Sequence, residues 1–281
     1  MGMTNGLKMT VIRTNDDNQS ACCVLLSEAS WLERYRDYAN DPTSLLSESE
    51  LHYFSFFKSE RRKQSYLMGR LCAKQACLNL VSIEKDCSFS SIEIKKGVFN
   101  FPVVVHPLLP NIQVSISHVN GSACAIAFSE RHPMSIDVEL LDDKRCRTME
   151  KKLEDGELDC RESFFSADHH RVSRYIKTRA EFNSYFNLVN WTAKESLSKV
   201  LRTGLMCPTH LYEVTSCKVL LKEDFIEIYD AFDLEERGFV FVSLFKHFSQ
   251  YKVISFLDIK LGQVISICLP RQSKLKKALS D

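Results

Sequence analysis

Trp191-Thr192-Ala193-Lys194-Glu195-Ser196-Leu197-Ser198-Lys199-Val200-Leu201-Arg202-Thr203-Gly204-Leu205 reads as the end of a helix with two unlike faces. Ala193, Leu197, Val200 and Leu201 form an apolar stripe at helical spacing, and Glu195, Ser198, Lys199 and Arg202 lie opposite it. Gly204 suits the stop. The helix closes a helical segment that opens at Phe164-Phe165, and strand-like stretches follow at 217–221, 225–229, 239–245, 251–257 and 264–269. The same order occurs earlier. Residues 58–81 read as a helix with Leu67, Leu71 and Leu78 on one face, made basic by Arg61, Arg62, Lys63, Arg70 and Lys74. Strand-like stretches then run at 92–94, 103–105, 112–118, 123–128 and 134–140. Helix then strands, twice, points to an α+β chain of two similar halves. The expected division is a flexible leader at 1–20, an N-terminal half at 21–140, a charged connector at 141–162, a C-terminal half at 163–270 and a basic tail at 271–281.

Composition excludes more than it selects. The chain has 281 residues, 44% hydrophobic and 26% charged, enough for a sizeable core. A net charge of +1 gives no global field towards nucleic acid or membrane. The 11 cysteines are irregularly spaced and odd in number, with no C-x-x-C pair, which fits reduced thiols in a cytoplasmic setting. No run of about 18 apolar residues exists, so no membrane-spanning helix is expected.

Ile136-Asp137-Val138-Glu139 alternates apolar and acidic residues. In a strand, Asp137 and Glu139 share one face and Ile136 and Val138 the other. Two adjacent carboxylates repel, and a divalent cation with a preference for oxygen ligands would relieve that. An ordinary exposed strand face is the plain alternative. Glu195 and Lys199 stand one helical turn apart, and as a lone surface pair they would contribute only about 0.3–0.5 kcal/mol. His118, in Ser115-Ile116-Ser117-His118, reads either as a phosphate or nucleotide contact or as a satisfied core histidine. There is no G-x-S-x-G, Walker loop or G-x-G-x-x-G.

In this order and spacing the motifs resemble the 4'-phosphopantetheinyl transferases of the large, two-half type. The resemblance rests on Ile116-Ser117-His118, on Ile136-Asp137-Val138-Glu139, and on Trp191, Lys194, Glu195, Lys199 and Gly204-Leu205, with Phe164-Phe165-Ser166 and Gly69-Arg70-Leu71 as lesser elements. It covers about residues 54–205. It implies a pseudo-twofold pair of α+β halves, each a small antiparallel sheet packed with a long helix, with coenzyme A between them. It also implies transfer of the phosphopantetheine arm of coenzyme A to a serine of an apo acyl or peptidyl carrier protein, with release of 3',5'-ADP. By the same resemblance Asp137, Glu139 and Glu195 are magnesium ligands. Glu195 is a general base and Lys199 a contact to phosphate or the leaving group. Ser117, His118 and Lys194 lie at the coenzyme, and Arg61 and Lys96 at its phosphates. A monomer is expected.

Some positions depart from the family pattern. Val119 replaces a polar residue after the histidine, Gly97-Val98-Phe99 stands for G-K-P, Arg202 replaces the first glycine of G-x-G-L, and Asp168 stands near a common glutamate. Two other classes share the same features: a magnesium-dependent phosphohydrolase, and a silent carrier-protein binder.

Overall fold

A computed structural model describes residues 8–13, 19–27, 31–81, 87–220, 222 and 238–277. The chain divides into two compact units, Met1–Pro133 with Gln272–Asp281, and Met134–Arg271.

The first unit is built on an antiparallel sheet. Its strands are β1 (Lys8–Arg13), β2 (Gln19–Ser27), β3 (Glu93–Lys96), β4 (Pro102–Val105), β5 (Ile112–Val119), β6 (Ser122–Ser129) and, from the far end of the chain, β12 (Lys274–Lys277). Their order is β12-β1-β2-β6-β5-β4-β3. Helix α1 (Glu48–Ser55) opens on Ser47, which forms a capping box with Glu50. Helix α2 (Glu60–Val81) buries Leu67, Met68, Leu71, Cys72, Ala76 and Leu80 and packs against β2, β5 and β6. Gly69 permits the close approach, because a Cβ there would stand 3.3 Å from Ile116 Cγ2.

The second unit carries β7 (Ser135–Leu140), β8 (Val214–Leu220), β9 (Gly238–Phe245), β10 (Tyr251–Asp258) and β11 (Gln263–Pro270), in the antiparallel order β7-β11-β10-β9-β8. Its helices are α3 (Asp143–Glu150), α4 (Asp155–Val172) and α5 (Arg179–Val200). Helix α5 starts at a Thr178–Glu181 capping box and lies on β7 and β11. Its dry face is Phe182, Phe186, Val189, Ala193 and Leu197. Thr192 Oγ1 meets Ser266 Oγ at 2.7 Å, and Ser266 meets Ser255 Oγ at 2.8 Å, so the buried hydroxyls satisfy one another.

The expected α+β pair of similar halves is present. The run β2-β6-β5-β4-β3 has the same sequence-to-space order as β7-β11-β10-β9-β8. A buried ion pair recurs with it. In the first unit Lys74 Nζ donates to Glu50 Oε2 at 2.6 Å and to the Leu45 carbonyl at 2.7 Å, while Glu50 Oε1 accepts from Ile94 N of β3 at 3.4 Å. In the second, Lys194 Nζ donates to Glu157 Oε2 at 2.6 Å and to the Lys152 carbonyl at 3.2 Å, while Glu157 Oε1 accepts from Val214 N of β8 at 2.9 Å. Each glutamate is the third residue of a helix and completes its capping box. One side chain thus ties a helix start, a long helix and an edge strand.

The expected division differs in three places. The boundary falls after Pro133, not at residue 140, because β7 pairs with β11. The stretch 141–162 is no connector: it forms α3 and the first part of α4 within the second unit. Its charges mislead because several are inward ties, with Glu157 and Arg161 buried. The expected leader and tail are in part strands, since β1 pairs with both β2 and β12. Residues Phe225–Tyr229, expected as a strand, lie outside the described residues. All 11 cysteines are free thiols. Among the described residues no helix is long and apolar enough to cross a membrane.

Candidate active site

Strand β7 is the outer strand of its sheet, and α5 crosses it. Ser135 Oγ donates to the Ser196 carbonyl, which docks strand on helix. Ile136 and Val138 turn into the core. Asp137 and Glu139 project from the other face towards Glu195 of α5, and the three offer carboxylate oxygens within 4.8 Å of one another. Neither strand carboxylate is exposed as a half-buried strand would leave it: Asp137 is 2% and Glu139 7% accessible.

Burial carries an electrostatic cost, and the site answers it with two cations. Lys199 Nζ donates to Asp137 Oδ1 at 2.7 Å and to the Ile136 carbonyl at 3.0 Å. Its reach is therefore back to the strand, beyond the helical-neighbour pairing that the sequence suggests. Arg145 of α3 grips Glu139 with both ends of its guanidinium, Nη1 to Oε2 and Nη2 to Oε1, each at 2.7 Å. Burial, with Asp137 and Glu139 adding to it and Lys199 and Arg145 opposing it, pushes the Glu195 carboxyl up to about 7. Burial also raises Glu139, against the pull of Arg145.

Three converging carboxylates form an all-oxygen donor set that fits magnesium, which takes oxygen ligands and keeps waters and substrate phosphates in its shell. The first unit provides an internal control. Ser27 pairs with Ser122 as Leu140 pairs with Gln263, each at the start of the corresponding hairpin strand. One and three residues back from these anchors, Leu26 and Val24 occupy the places of Glu139 and Asp137, and both are buried apolar residues. Counting on from the buried lysines, Gln75 stands where Glu195 does, and Asn79 where Lys199 does. The scaffold needs no carboxylate at any of these positions, so the acidic set in the second unit is not a requirement of the fold.

Lys194 departs from expectation. It is 2% accessible and committed to Glu157 and the Lys152 carbonyl, as Lys74 is to Glu50 in the other unit. It is a packing residue and not a coenzyme contact. The remaining expected residues belong to the first unit. Arg61 is exposed on the first turn of α2. Lys96 ends β3, donating to Tyr53 Oη at 2.7 Å with its ammonium 4.2 Å from that ring's centre. Ser117 is buried on β5, and His118 beside it is exposed, which removes the reading of a core histidine.

Arg145 and Trp191 carry features that the sequence did not flag. With Lys144, Thr148, Met149 and Lys152 they line a pocket of about 410 Å³ that shares Arg145 with the Glu139 pair, and the Lys152 ammonium lies 4.8 Å from the Trp191 ring centre. Arg202, in place of a family glycine, has φ 56°, a left-handed conformation that glycine adopts without penalty.

No family model matches the chain. A 91-residue stretch, 31% of the chain, is 34% identical to the holo-[acyl-carrier-protein] synthase of Bacillus subtilis and covers 74% of that protein. The chain belongs to this phosphopantetheinyl transferase family. Among solved structures it is similar to the holo-(acyl-carrier-protein) synthase of Bacillus anthracis in complex with CoA (3',5'-ADP), at 22% identity over 43% of this chain and 96% of that one, with a TM-score of 0.34. It is also similar to the holo-[acyl-carrier-protein] synthase of Helicobacter pylori in complex with coenzyme A, at 24% identity over 39% and 98%, with a TM-score of 0.32.

Proposed function

We propose that this chain transfers the 4'-phosphopantetheine arm of coenzyme A to a serine of an apo acyl or peptidyl carrier protein and releases 3',5'-ADP, using magnesium. The observation that carries this reading is the convergence of Asp137, Glu139 and Glu195 with Lys199, in a chain of this family. Asp137, Glu139 and Glu195 would hold the magnesium, which when bound offsets charge on the pyrophosphate.

The carrier serine Oγ forms a bond to the phosphorus nearest the pantetheine. The bond from that phosphorus to the bridging oxygen breaks, and 3',5'-ADP leaves with the electron pair. Glu195 takes the serine proton, directly or through a water. An ordinary carboxylate, with a pKa of roughly 4, is a weak base for this. Without metal the site raises Glu195 to about 7, and a divalent cation on the same carboxylate would lower it again, which favours a water as the carrier of the proton. Lys199 meets the charge that grows on the leaving phosphate. The pocket that Arg145 lines combines the apolar Met149 and Trp191 with the cations of Lys144, Arg145 and Lys152, a lining that suits a pantetheine arm attached to phosphate. His118 and Ser117 are assigned to the nucleotide, and Arg61 and Lys96 to its phosphates, by their motif positions.

Mass spectrometry of apo carrier proteins incubated with this protein, coenzyme A and magnesium tests the reading. The expected product is a carrier heavier by one phosphopantetheine. Phosphate release from simple esters with no change in the carrier would establish a phosphohydrolase instead, and binding without mass gain a silent binder. Lys199→Ala should lower kcat at least about tenfold, or about 1.4 kcal/mol of barrier. Lys199→Arg keeps a cation beside Asp137, so a rate loss in both variants would report on the reacting phosphate and not on folding. An unchanged kcat in Lys199→Ala would remove Lys199 from the mechanism.

A further inference from the structure

Arg145 lies outside every motif that marks this site, yet it engages one of the three carboxylates completely. Its two 2.7 Å contacts occupy both oxygens of Glu139. One of these oxygens belongs to the candidate metal set with Asp137 and Glu195. A guanidinium and a divalent cation on one carboxylate repel each other, the more so where water is scarce. The two partners are unequally anchored. The Arg145 side chain is 52% accessible, whereas that of Glu139 is 10%. The Arg145 backbone is fixed by its N–H donating to Asp142 Oδ1 at 2.7 Å, and α3 is seated by the buried Cys146 and Met149. When the pair parts, the arginine side chain is the member that can swing into water.

We propose that Arg145 is a built-in counter-ion that holds Glu139 in competition with the metal, so that a divalent cation binds well only when an anionic ligand draws the guanidinium away. The inference rests on the reading of Asp137, Glu139 and Glu195 as magnesium ligands. Charge balance supports it. Asp137 and Glu139 are matched by Lys199 and Arg145, so a cation that arrives alone meets little net negative charge. Arginine pairs with phosphate as readily as with carboxylate, through the same two-pronged geometry. A pyrophosphate in the adjoining pocket, which Arg145 lines, offers that alternative partner. Moving the guanidinium from Glu139 to phosphate frees the carboxylate for the metal. Metal and anionic ligand then strengthen each other's binding, and the coupling is reciprocal. Arg145 is in this sense a positioning residue: it governs when Glu139 is available.

The test is manganese binding to the full chain, followed by calorimetry and by the loss of the free-ion electron paramagnetic resonance signal. Without coenzyme A, Arg145→Gln should bind manganese at least about tenfold more tightly than the unaltered protein. Arg145→Lys, which keeps the charge but loses the fork, should fall between the two. Added coenzyme A should tighten manganese binding to the unaltered protein by a larger factor than in Arg145→Gln, after correction for manganese bound by coenzyme A alone. Circular dichroism identifies a variant that has not folded, in which case Arg145→Lys decides. Equal or weaker manganese binding in the folded variants, with binding by the unaltered protein intact, overturns the role of Arg145 and leaves the metal site standing. Failure of every protein to bind manganese, Asp137→Asn included, overturns the metal site and the competition together.

Discussion

Lys194→Met is expected to destabilise the second unit by about 3–5 kcal/mol, the range for removing one partner of a buried ion pair. The cost arises from what remains. Glu157 is fully buried, and Lys194 is its only ion-pair partner among the described residues. Burial already raises its pKa, opposed chiefly by Lys194. Without the lysine, Glu157 must either stay ionised with only backbone donors or take up a proton. Lys74→Met in the first unit should cost less, because Arg70 Nε remains 2.8 Å from Glu50 Oε1. Denaturant melts of the two variants check the ranking. If Lys194 were instead a coenzyme contact, Lys194→Met would weaken coenzyme binding and leave the melt nearly unchanged. That result would reverse the assignment made here.

This buried lysine also shows where sequence reading succeeds and where it stops. The long helices were legible because their apolar residues recur at helical spacing, as at Leu67 and Leu71 or Ala193 and Leu197. The strands that alternate, or that end in turn residues, were legible too. Strand β2 was not: Ala21–Leu26 is an unbroken apolar run whose alternate residues are buried on both faces, so it shows no period. Strands β1 and β12 read as loose ends, β1 because polar residues surround it and β12 because three of its four residues are lysines, and what orders them is pairing across nearly the whole length of the chain. The first part of α4 is hidden because its buried face includes Glu157 and Arg161, whose cost is met by Lys194 and Glu150 on other helices, and α3 because its buried anchors are only Cys146 and Met149. At the site, Asp137, Glu139, Glu195 and Lys199 could be picked out by motif. Lys194 was misassigned because adjacency to Glu195 in sequence is not adjacency in space; neighbours on a helix differ by about 100°. The available clue was Ala73-Lys74 in the other long helix, matching Ala193-Lys194. Arg145 carried no signal, since its fork on Glu139 exists only once α3 folds back against β7.

The other large effect is expected at Glu195. Glu195→Gln should reduce transfer at least about a hundredfold, or about 2.7 kcal/mol of barrier, because an amide keeps the shape but neither accepts a proton nor holds a hard cation well. The same change should make the metal-free protein more stable at pH 8. Folding raises this carboxyl to about 7 through burial and its two acidic neighbours. Between its ordinary value of 4.5 and about 7 the folded state therefore binds more protons than the unfolded one. Stability contributed by this group must then fall as pH rises through that window, and it stays low above it. Glutamine cannot ionise, so melts of Glu195→Gln should lack that decline. Magnesium should stabilise the unaltered protein most above pH 7, where Glu195 is ionised and the charge crowding is greatest, and should do little for the variant. A carboxylate kept for its chemistry at the expense of stability predicts both outcomes together: slower transfer and a firmer fold. If Glu195→Gln transfers at full rate, or melts at pH 8 below the unaltered protein, Glu195 is serving the fold and the base must be sought elsewhere.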